Sequence, residues 1–443
     1  MSTLAIGGVL LVVMFVVLTL GAWIGFGLAI TGWVGMAFFT NSSPTLNLAT
    51  AVWQSVASWE LAALPLFVWM GEILFRTNLA NQMFIGLAPW LRRLPGRLLH
   101  VNVLACGIFG SVSGSSAATA VTIGKMTVPE LKRRGYPDNM SLGSLAGSGT
   151  LGILIPPSII MVVYAVAAEV SIIQIFLAGF LPGLLVMVLF SGYIIVWALL
   201  NPDKVPPDDI GSTTLRQKLH ASRELIPCML LILMVIWVIV AGWATATEAA
   251  AFGAVGSLAL AWWGRSLTWE NFRESLLGAT RLSAMIMFIL AGAAYLTLAM
   301  GFTGIPRALA EYVAWLNPSK FQLIAVLTIM YILLGTALDG VSMIVLTTTI
   351  VLPMIQKVGI DPIWFGIFIV LLVEIAEVTP PVGFVLFVLQ SMSGRDSWFV
   401  AYASLPFFLM LVVAIAVITI FPEIVTVLPR MFVEATQAGG PPR

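Results

Sequence analysis

One pattern of glycine and proline occurs twice in this chain of 443 residues, once in each half. A glycine follows a proline by six residues, and a Pro-Pro pair begins 21 residues after that glycine. The pattern starts at Pro129 in the first half and at Pro353 in the second. Because proline removes a backbone donor and clashes with the preceding turn, a helix should break at each Pro-Pro pair. The chain is therefore predicted to consist of two related halves.

The composition indicates a lipid environment. Hydrophobic residues make up 60% of the chain and charged residues only 9%, with a mean hydropathy of +1.04. Soluble domains carry about 25% charged residues. Spanning the bilayer takes about 20 apolar residues as helix. The predicted membrane segments are about 4–20, 22–39, 60–85, 98–128, 140–167, 171–200, 224–242, 244–263, 276–300, 320–354, 362–392 and 397–422. We therefore predict an all-α polytopic membrane protein in contact with a lipid bilayer.

The same composition excludes several other classes. A net charge of +1 and the lack of a large basic tract argue against a nucleic-acid partner. Cys106 and Cys228 are the only cysteines and have no zinc-site spacing. His100 and His220 lie near segment ends and are interpreted as interfacial residues rather than metal ligands. We expect no catalytic residues and no cofactor.

Basic clusters predict the path of one interrupted segment. Arg92, Arg93 and Arg97 precede an apolar stretch, and 132–134 follow it with three more basic residues. Basic residues favour the cytoplasmic side, so the stretch should leave and return on the same side. It is too short for two full spans, and its middle, 113–116, is polar. Residues 98–130 are therefore predicted to form a re-entrant helical hairpin with its tip at mid-depth.

The repeat extends this prediction to the second half. Residues 320–356 should form a second hairpin, which enters from the opposite side if the halves form an inverted repeat. A broken helix is predicted after each hairpin, at 140–167 and at 362–392. Exposed backbone at such tips and breaks is tolerated only where protein or a watery cavity surrounds it.

Tips and breaks together predict ion and anion sites. Freed carbonyls and nearby hydroxyls are hard oxygen ligands suited to Na⁺, the only metal ion we expect, and the N-termini of half-helices favour a carboxylate. We predict one cation site in each half and an anion site between them. The first cation site comprises Ser113, Gly114 and Ser115 with the loop residues Gly149 and Thr150. The second comprises Gly335, Thr336, Asp339, Gly340 and Thr379. The predicted substrate contacts are Ser115, Ser116, Pro156, Pro157, Pro380 and Pro381.

Charged residues in apolar segments have alternative interpretations. Asp339 is interpreted as a cation-site residue, with helix capping as the alternative. Glu374 either supports the ligands or forms structural hydrogen bonds. Glu248 is predicted to hold the scaffold together or to cap a helix. Arg281 is predicted to be a snorkelling or scaffold residue rather than an anion contact.

Several short motifs connect these features to a known family. They occur in order over nearly the whole chain: Ser113–Ser116, Gly135-Tyr136, Gly152–Ser158, Phe176–Gly179, Pro182-Gly183, Gly359–Pro362, Phe365-Gly366 and Thr379–Gly383. In this combination they resemble the large membrane subunit (M, DctM-like) of tripartite ATP-independent periplasmic (TRAP) transporters, within the ion-transporter superfamily. Glu377 departs from the pattern, since family members often have a neutral residue just before the threonine.

The resemblance implies a function and partners. Such a subunit is an elevator-type secondary transporter in the bacterial inner membrane, with a scaffold and a transport domain. It works with a small four-helix membrane subunit and a periplasmic substrate-binding protein, and it couples uptake of an organic acid to the Na⁺ gradient. Three alternatives stay open: a stand-alone Na⁺/divalent-anion symporter of the same superfamily, a passive channel, and an intramembrane enzyme.

The predicted organisation follows from these elements. The apolar N-terminal run lacks the positive residues of a cleaved signal peptide and is interpreted as retained membrane segments. A proline-containing polar linker separates the halves. The predicted regions are N-terminal scaffold helices (1–97), first transport elements (98–200), the linker (201–223), scaffold and connecting helices (224–319), second transport elements (320–395), and a C-terminal helix with tail (396–443).

Overall fold

The computed structural model describes residues 2–77, 79–207, 214–223, 225–316, 318–336, 338–380 and 383–438. The described chain contains helices and no strand, which confirms the predicted all-α class. The first ten helices are α1 (Thr3–Thr19), α2 (Ile24–Phe39), α3 (Pro44–Val56), α4 (Ala63–Phe75), α5 (Leu79–Leu91), α6 (Leu99–Ser113), α7 (Ser116–Arg133), α8 (Asp138–Thr150), α9 (Ile159–Ala167) and α10 (Ile172–Leu200).

The remaining helices follow the linker. They are α11 (Leu215–Ser222), α12 (Ile226–Val240), α13 (Ala246–Trp263), α14 (Trp269–Thr303), α15 (Ile305–Leu316), α16 (Lys320–Gly335), α17 (Gly340–Lys357), α18 (Pro362–Glu377), α19 (Phe384–Ser393), α20 (Ser397–Ile420) and α21 (Glu423–Ala438). Short 3₁₀ helices occur at Trp59–Ala62, Leu151–Ile153 and Pro202–Lys204.

Several helices are suited to a bilayer. Within the described residues, four helices (α10, α14, α17 and α20) are long and apolar enough to cross a membrane, and two bent pairs raise the number to six. Large apolar side chains lie on the outer surface, among them Val188 at 59% exposure and Ile329 at 62%. Such a surface is stable in lipid rather than in water.

The order of elements is the same in the two halves. Each half contains, in chain order, one helix (α4 or α14), a short helix (α5 or α15) and two helices joined by a turn (α6–α7 or α16–α17). An interrupted pair (α8–α9 or α18–α19) and a long helix (α10 or α20) come next. We call α6–α7 hairpin 1 and α16–α17 hairpin 2. Helix α9 packs on α17, and α19 packs on α7, so each interrupted pair contacts the other half's hairpin.

The predicted segments differ from the structure in several places. The single segment expected over 60–85 is wrong, because the chain forms a 3₁₀ turn, α4 and α5 there. Helix α4 ends where Arg76 turns to pair with Glu72 and Glu274, at 3.1 and 2.8 Å. Helices α3, α15 and α21 were not predicted. At 12 to 16 residues, they are too short to span about 30 Å of hydrocarbon.

The contacts divide most helices into two groups, which meet where α4 packs on α6 and α14 packs on α17. Helices α1–α4 and α12–α14 form one group, and α6–α10 with α16–α21 form the other. The second group is connected across the halves, where the Tyr164 hydroxyl donates to the Pro362 carbonyl at 2.6 Å. Within the second half, the Trp364 indole donates to the Ile418 carbonyl at 3.0 Å. Glu248, in the first group, forms a capping box with Thr245, which confirms its predicted role as a cap.

Candidate functional site

The tip of hairpin 1 is built around a glycine. Helix α6 ends at Ser113, and Gly114 adopts a φ of 59°, in the left-handed region that glycine tolerates best. Ser115 then caps α7, where its hydroxyl accepts the Ala118 N–H at 3.4 Å. A Cβ atom at Gly114 would lie 3.0 Å from the Ile159 Cγ1 atom. The tip therefore has no room for a side chain at this position.

Hydroxyl groups fill the interior of this tip. The Ser113 and Thr119 hydroxyls are 2.8 Å apart, and the Thr119 hydroxyl donates to the Ser115 carbonyl at 2.7 Å. Ser116 is buried at the first turn of α7. Several oxygen atoms therefore converge within one turn of chain, which is the chemistry that a hard monovalent cation requires.

The first interrupted pair breaks later than predicted. Gly149 and Thr150 lie at the end of α8 rather than in a loop, because a 3₁₀ turn continues the helical path to Ile153. The Thr150 hydroxyl donates to the Gly147 carbonyl at 2.8 Å. The irregular stretch is at residues 154–158, where the Pro-Pro pair stops the helix. There the Ser158 hydroxyl donates to the Ile153 carbonyl at 2.6 Å.

The tip of hairpin 1 lies directly against this break. A Cβ atom at Gly110 would lie 2.5 Å from the Gly152 Cα atom. A Cβ atom at Gly152 would lie 2.7 Å from the Thr119 hydroxyl and 3.1 Å from the Ser115 carbonyl oxygen. A Cβ atom at Gly149 would lie 3.0 Å from the Ala120 Cβ atom. The structure thus places the tip of hairpin 1 against the end of α8 and the 3₁₀ turn that follows it, whereas the Thr150 side chain bonds within α8.

Hairpin 2 has a different cap at its tip. Helix α16 ends at Gly335, and the Thr336 hydroxyl donates to the Leu333 carbonyl at 2.7 Å. Asp339 caps α17: its carboxylate accepts the Ser342 N–H at 3.3 Å and also the Ser342 hydroxyl. The capping alternative for Asp339 is therefore present in the structure.

The second interrupted pair meets this tip. Cβ atoms at Gly335 and Gly340 would lie 2.2 Å from the Ala376 Cβ and 2.4 Å from the Val373 Cγ1, both on α18. The Thr379 hydroxyl donates to the Ile375 carbonyl at 2.6 Å. These contacts bring the second predicted set together at the end of α18. Pro380 lies in the turn that follows, whereas Pro381 lies outside the described residues.

Two carboxyl groups lie where the halves meet. Glu377 lies near the Ser116 side chain of hairpin 1 and near the Asp339 carboxylate of hairpin 2. Glu374, one turn earlier, is fully buried, and neither of its oxygens has a hydrogen-bond partner among the described residues. Both tips therefore converge on the last turn of α18.

The helix directions favour negative charge at this junction. Helices α7, α9, α17 and α19 all begin at a tip or at a break, with N-caps Ser115, Ser158, Asp339 and Gly383. A helix N-terminus carries roughly +0.5 of an elementary charge from its unpaired N–H groups. Four such termini around one region can stabilise an anion there.

An open cavity of about 880 Å³ separates hairpin 1 from the first group of helices. Helices α4, α5, α7 and α14 supply its lining: Phe75, Arg76, Thr77, Phe84, Thr122, Lys125, Met126, Pro129, Glu130, Arg133 and Asn271. Burial alone would raise the pKa of Glu130, but hydrogen bonds and charges from Arg133 and Arg134, both at 2.7 Å, hold that pKa below its usual value. Glu130 therefore remains ionised and paired.

Comparison with known proteins identifies the family. Residues 11–424 match the family model of the tripartite ATP-independent periplasmic transporter, DctM component. The chain belongs to the DctM family.

Named relatives cover nearly the full length of this DctM-family chain. The C4-dicarboxylate TRAP transporter large permease protein DctM of Pseudomonas aeruginosa is 31% identical over 404 residues, covering 91% of this chain and 93% of the relative. The sialic acid TRAP transporter large permease protein SiaM of Vibrio cholerae is 27% identical over 415 residues, covering 93% and 96%. The ectoine/5-hydroxyectoine large permease UehC of Ruegeria pomeroyi is 29% identical over 413 residues, covering 93% of each.

A solved structure supports the architecture. The YdaH transporter of Alcanivorax borkumensis aligns with a TM-score of 0.60 at 12% identity, covering 86% of this chain and 88% of that one. At this identity the likeness shows the fold alone. Membership of the DctM family makes the protein a multi-pass inner-membrane transporter permease. Proteins of this family work with a small membrane subunit and a periplasmic binding protein.

Some site features of the DctM-family chain did not follow from the sequence. Thr119 and Gly152 lie beside the first predicted cation site. In the sequence, only their spacing from Ser115 and Pro156 indicated this. Pro156 and Pro157 line a narrow apolar crevice of about 190 Å³ against α10 and α12. Their rings therefore offer no polar group on that side. Any contact they make with a carboxylate would have to involve the backbone that follows them.

We expect Gly114→Val to abolish transport while the subunit still assembles in the membrane. The left-handed conformation costs a non-glycine residue roughly 1–2 kcal/mol, and the new side chain would also collide with Ile159. Gly394→Val is the matched control, since Gly394 has a φ of 66° and no atom within 4 Å of its added Cβ. Substrate uptake is the measurement. Equal uptake in both variants would contradict a role for the tip.

Proposed function

We propose that this permease subunit imports an organic acid by Na⁺-coupled secondary transport, after delivery of the acid by a periplasmic substrate-binding protein. The observation that carries the proposal is the junction at which two glycine-built tips meet two helix breaks. Relatives whose names specify C4-dicarboxylates, sialic acid and isethionate support an acidic substrate. The partners would be a small four-helix membrane subunit and the binding protein.

The first Na⁺ ion would bind at hairpin 1. Ser113, Ser115 and Thr150 offer hydroxyl and carbonyl oxygens, and Gly114 and Gly149 allow the close backbone approach that such a site needs. Sodium is a hard cation that prefers neutral and anionic oxygen ligands, and none of these groups must lose a proton to bind it. Thr119 would position the Ser113 hydroxyl through their 2.8 Å hydrogen bond.

The second Na⁺ ion would bind at hairpin 2. Thr336, Asp339 and Thr379 supply the side-chain oxygens, between backbone held close by Gly335 and Gly340. A carboxylate in the membrane is costly unless a partner compensates it, so a cation beside Asp339 would lower that cost. The acid would bind between the two tips, against Ser115, Ser116 and the chain ends after both Pro-Pro pairs.

The elevator step follows from where the sites are built. Because each site lies between a hairpin and a broken helix, separating these elements would destroy it. Moving the second helix group as one body past the first would carry the sites intact across the membrane barrier. The cavity beside α7 would be the opening toward the cytoplasm. Sodium bound at the tips would raise affinity for the acid, and the acid would raise Na⁺ affinity by the same factor.

The proposed function predicts that uptake requires the small membrane subunit, an inward Na⁺ gradient and the binding protein. Proteoliposomes that contain this chain with its small membrane subunit should accumulate acid only with an inward Na⁺ gradient and with the cognate binding protein outside. A panel of C4-dicarboxylates, sialic acids and sulfonates would identify the substrate. Saturable Na⁺-dependent uptake without any binding protein would instead favour a stand-alone symporter, and uptake insensitive to Na⁺ would contradict the coupling.

Replacement of Asp339 separates cation binding from capping. Asn is also a good N-cap, so Asp339→Asn should change stability by less than about 1 kcal/mol. If the carboxylate contributes about 1.4 kcal/mol to cation binding, the Na⁺ concentration for half-maximal uptake should rise about tenfold. Asp361→Asn is the matched control, because Asp361 caps α18 at its far end, where its carboxylate accepts the Ile363 N–H at 2.8 Å. If the Na⁺ dependence of uptake is unchanged in Asp339→Asn, Asp339 serves only as a helix cap and does not bind the cation.

A further inference from the structure

The cavity beside hairpin 1 contains a cation without a compensating charge. Lys125 lines the cavity, is exposed, and has no hydrogen bond or ion pair to another described residue. The other two cations of the lining are paired: Arg76 with Glu72 and Glu274, and Arg133 with Glu130. Lys125 is therefore the one lining cation with all its hydrogen-bond donors available.

Lys125 lies on α7 between the tip of hairpin 1 and the basic end of the helix. The helix rises about 1.5 Å per residue, so Lys125 lies roughly 13 Å from the tip at Ser116 and roughly 12 Å from Arg133 at the opposite end. With the tip predicted at mid-depth and about 15 Å of hydrocarbon in half a bilayer, Lys125 lies between the candidate site and the cytoplasmic edge of the membrane. It lines the cavity there and has no partner among the described residues.

Lys125 is the charge of the lining that no acidic side chain offsets. Arg76 is paired with Glu72 and Glu274, and Arg133 is paired with Glu130. An uncompensated charge in a concave surface with low-dielectric walls attracts counter-ions. Thr77, Thr122 and Asn271 add neutral hydrogen-bonding groups to the same wall. A small carboxylate-bearing molecule matches this combination of volume, charge and hydrogen-bonding groups.

We propose that the cavity is an anion-binding vestibule in which Lys125 binds a carboxylate of the transported acid on its way to the cytoplasm. This inference rests on the proposed function, because it assigns the cavity to the exit side of the same route. The Lys125 ammonium group donates hydrogen bonds to the carboxylate, while Arg76 and Arg133 stay fixed by their own acidic partners. The vestibule thus holds the acid loosely between the tips and the cytoplasm.

A protection experiment tests the site on the unaltered complex. The detergent-purified complex is treated with an amine-reactive reagent, with succinate or sialic acid as the probe, and modification of each lysine is quantified by mass spectrometry. The transported acid should protect Lys125 and leave Lys132, an exposed lysine of the same helix outside the cavity, unprotected. This assay needs neither Na⁺ nor the binding protein, so it can succeed or fail independently of Na⁺-coupled uptake.

A transport experiment tests whether the vestibule lies on the cytoplasmic side of the transport route. In proteoliposomes with the cytoplasmic side inward, acid loaded inside should inhibit uptake by occupying the vestibule. Loss of one charge-assisted hydrogen bond should weaken this inhibition about tenfold in Lys125→Gln. Lys125→Arg should retain the inhibition, and Lys132→Gln should behave as the unaltered protein.

Three results would overturn the proposal. They are equal protection of Lys125 and Lys132 by acid, equal internal inhibition in Lys125→Gln and Lys132→Gln, and an effect of Lys125→Gln that disappears in liposomes without anionic lipid. The last result would assign Lys125 to a lipid phosphate instead. Protection of Lys125 in the unaltered complex decides the matter if Lys125→Gln does not assemble.

Discussion

The rest of this structure depends on one constraint, the hydrogen bonding of interrupted backbone inside a bilayer. Groups freed at a helix break have no water in the hydrocarbon region, so protein must surround them. Here glycines bring the tips against the breaks: Gly110 meets Gly152 in the first half, and Gly335 meets Ala376 in the second. Short hydrogen bonds from Ser158 and Thr379 satisfy carbonyls beside the breaks. The hairpins and broken helices therefore depend on each other for stability.

That mutual dependence concentrates the candidate site in one group of helices. The oxygen-rich tips, the four helix N-termini and the carboxyl groups of Glu374 and Glu377 all lie within it. The other group contacts it through narrower surfaces, such as Gly71 against the Ser113 carbonyl and the 2.8 Å hydrogen bond between Thr297 and Thr349. A cavity occupies part of the remaining boundary. In the elevator step that we propose, this boundary would slide as a whole rather than open locally.

The sequence was informative where the physical cause was local. A Pro-Pro pair stops a helix wherever it occurs, and a glycine in a polar run marks a tip, so both breaks and the turn at Gly114 could be predicted. The division of residues 60–85 into two helices could not be predicted, because α4 ends where Arg76 pairs with Glu274, nearly 200 residues away. The meeting of Ser116, Asp339 and Glu377 likewise depends on three distant segments. Sequence placed Glu377 beside a break without assigning its partner.

The central claim is that the second helix group moves as one body, and a cross-link across the cavity tests it most directly. Cysteines replacing Phe75 on α4 and Met126 on α7 would be joined by a short reducible thiol reagent, with the buried Cys106 and Cys228 replaced by Ser. A pair within hairpin 2, replacing Tyr331 and Thr347, is the control. We predict that the cavity cross-link stops uptake until it is reduced, while the hairpin cross-link leaves uptake intact. Full uptake with the cavity pair locked would contradict the account.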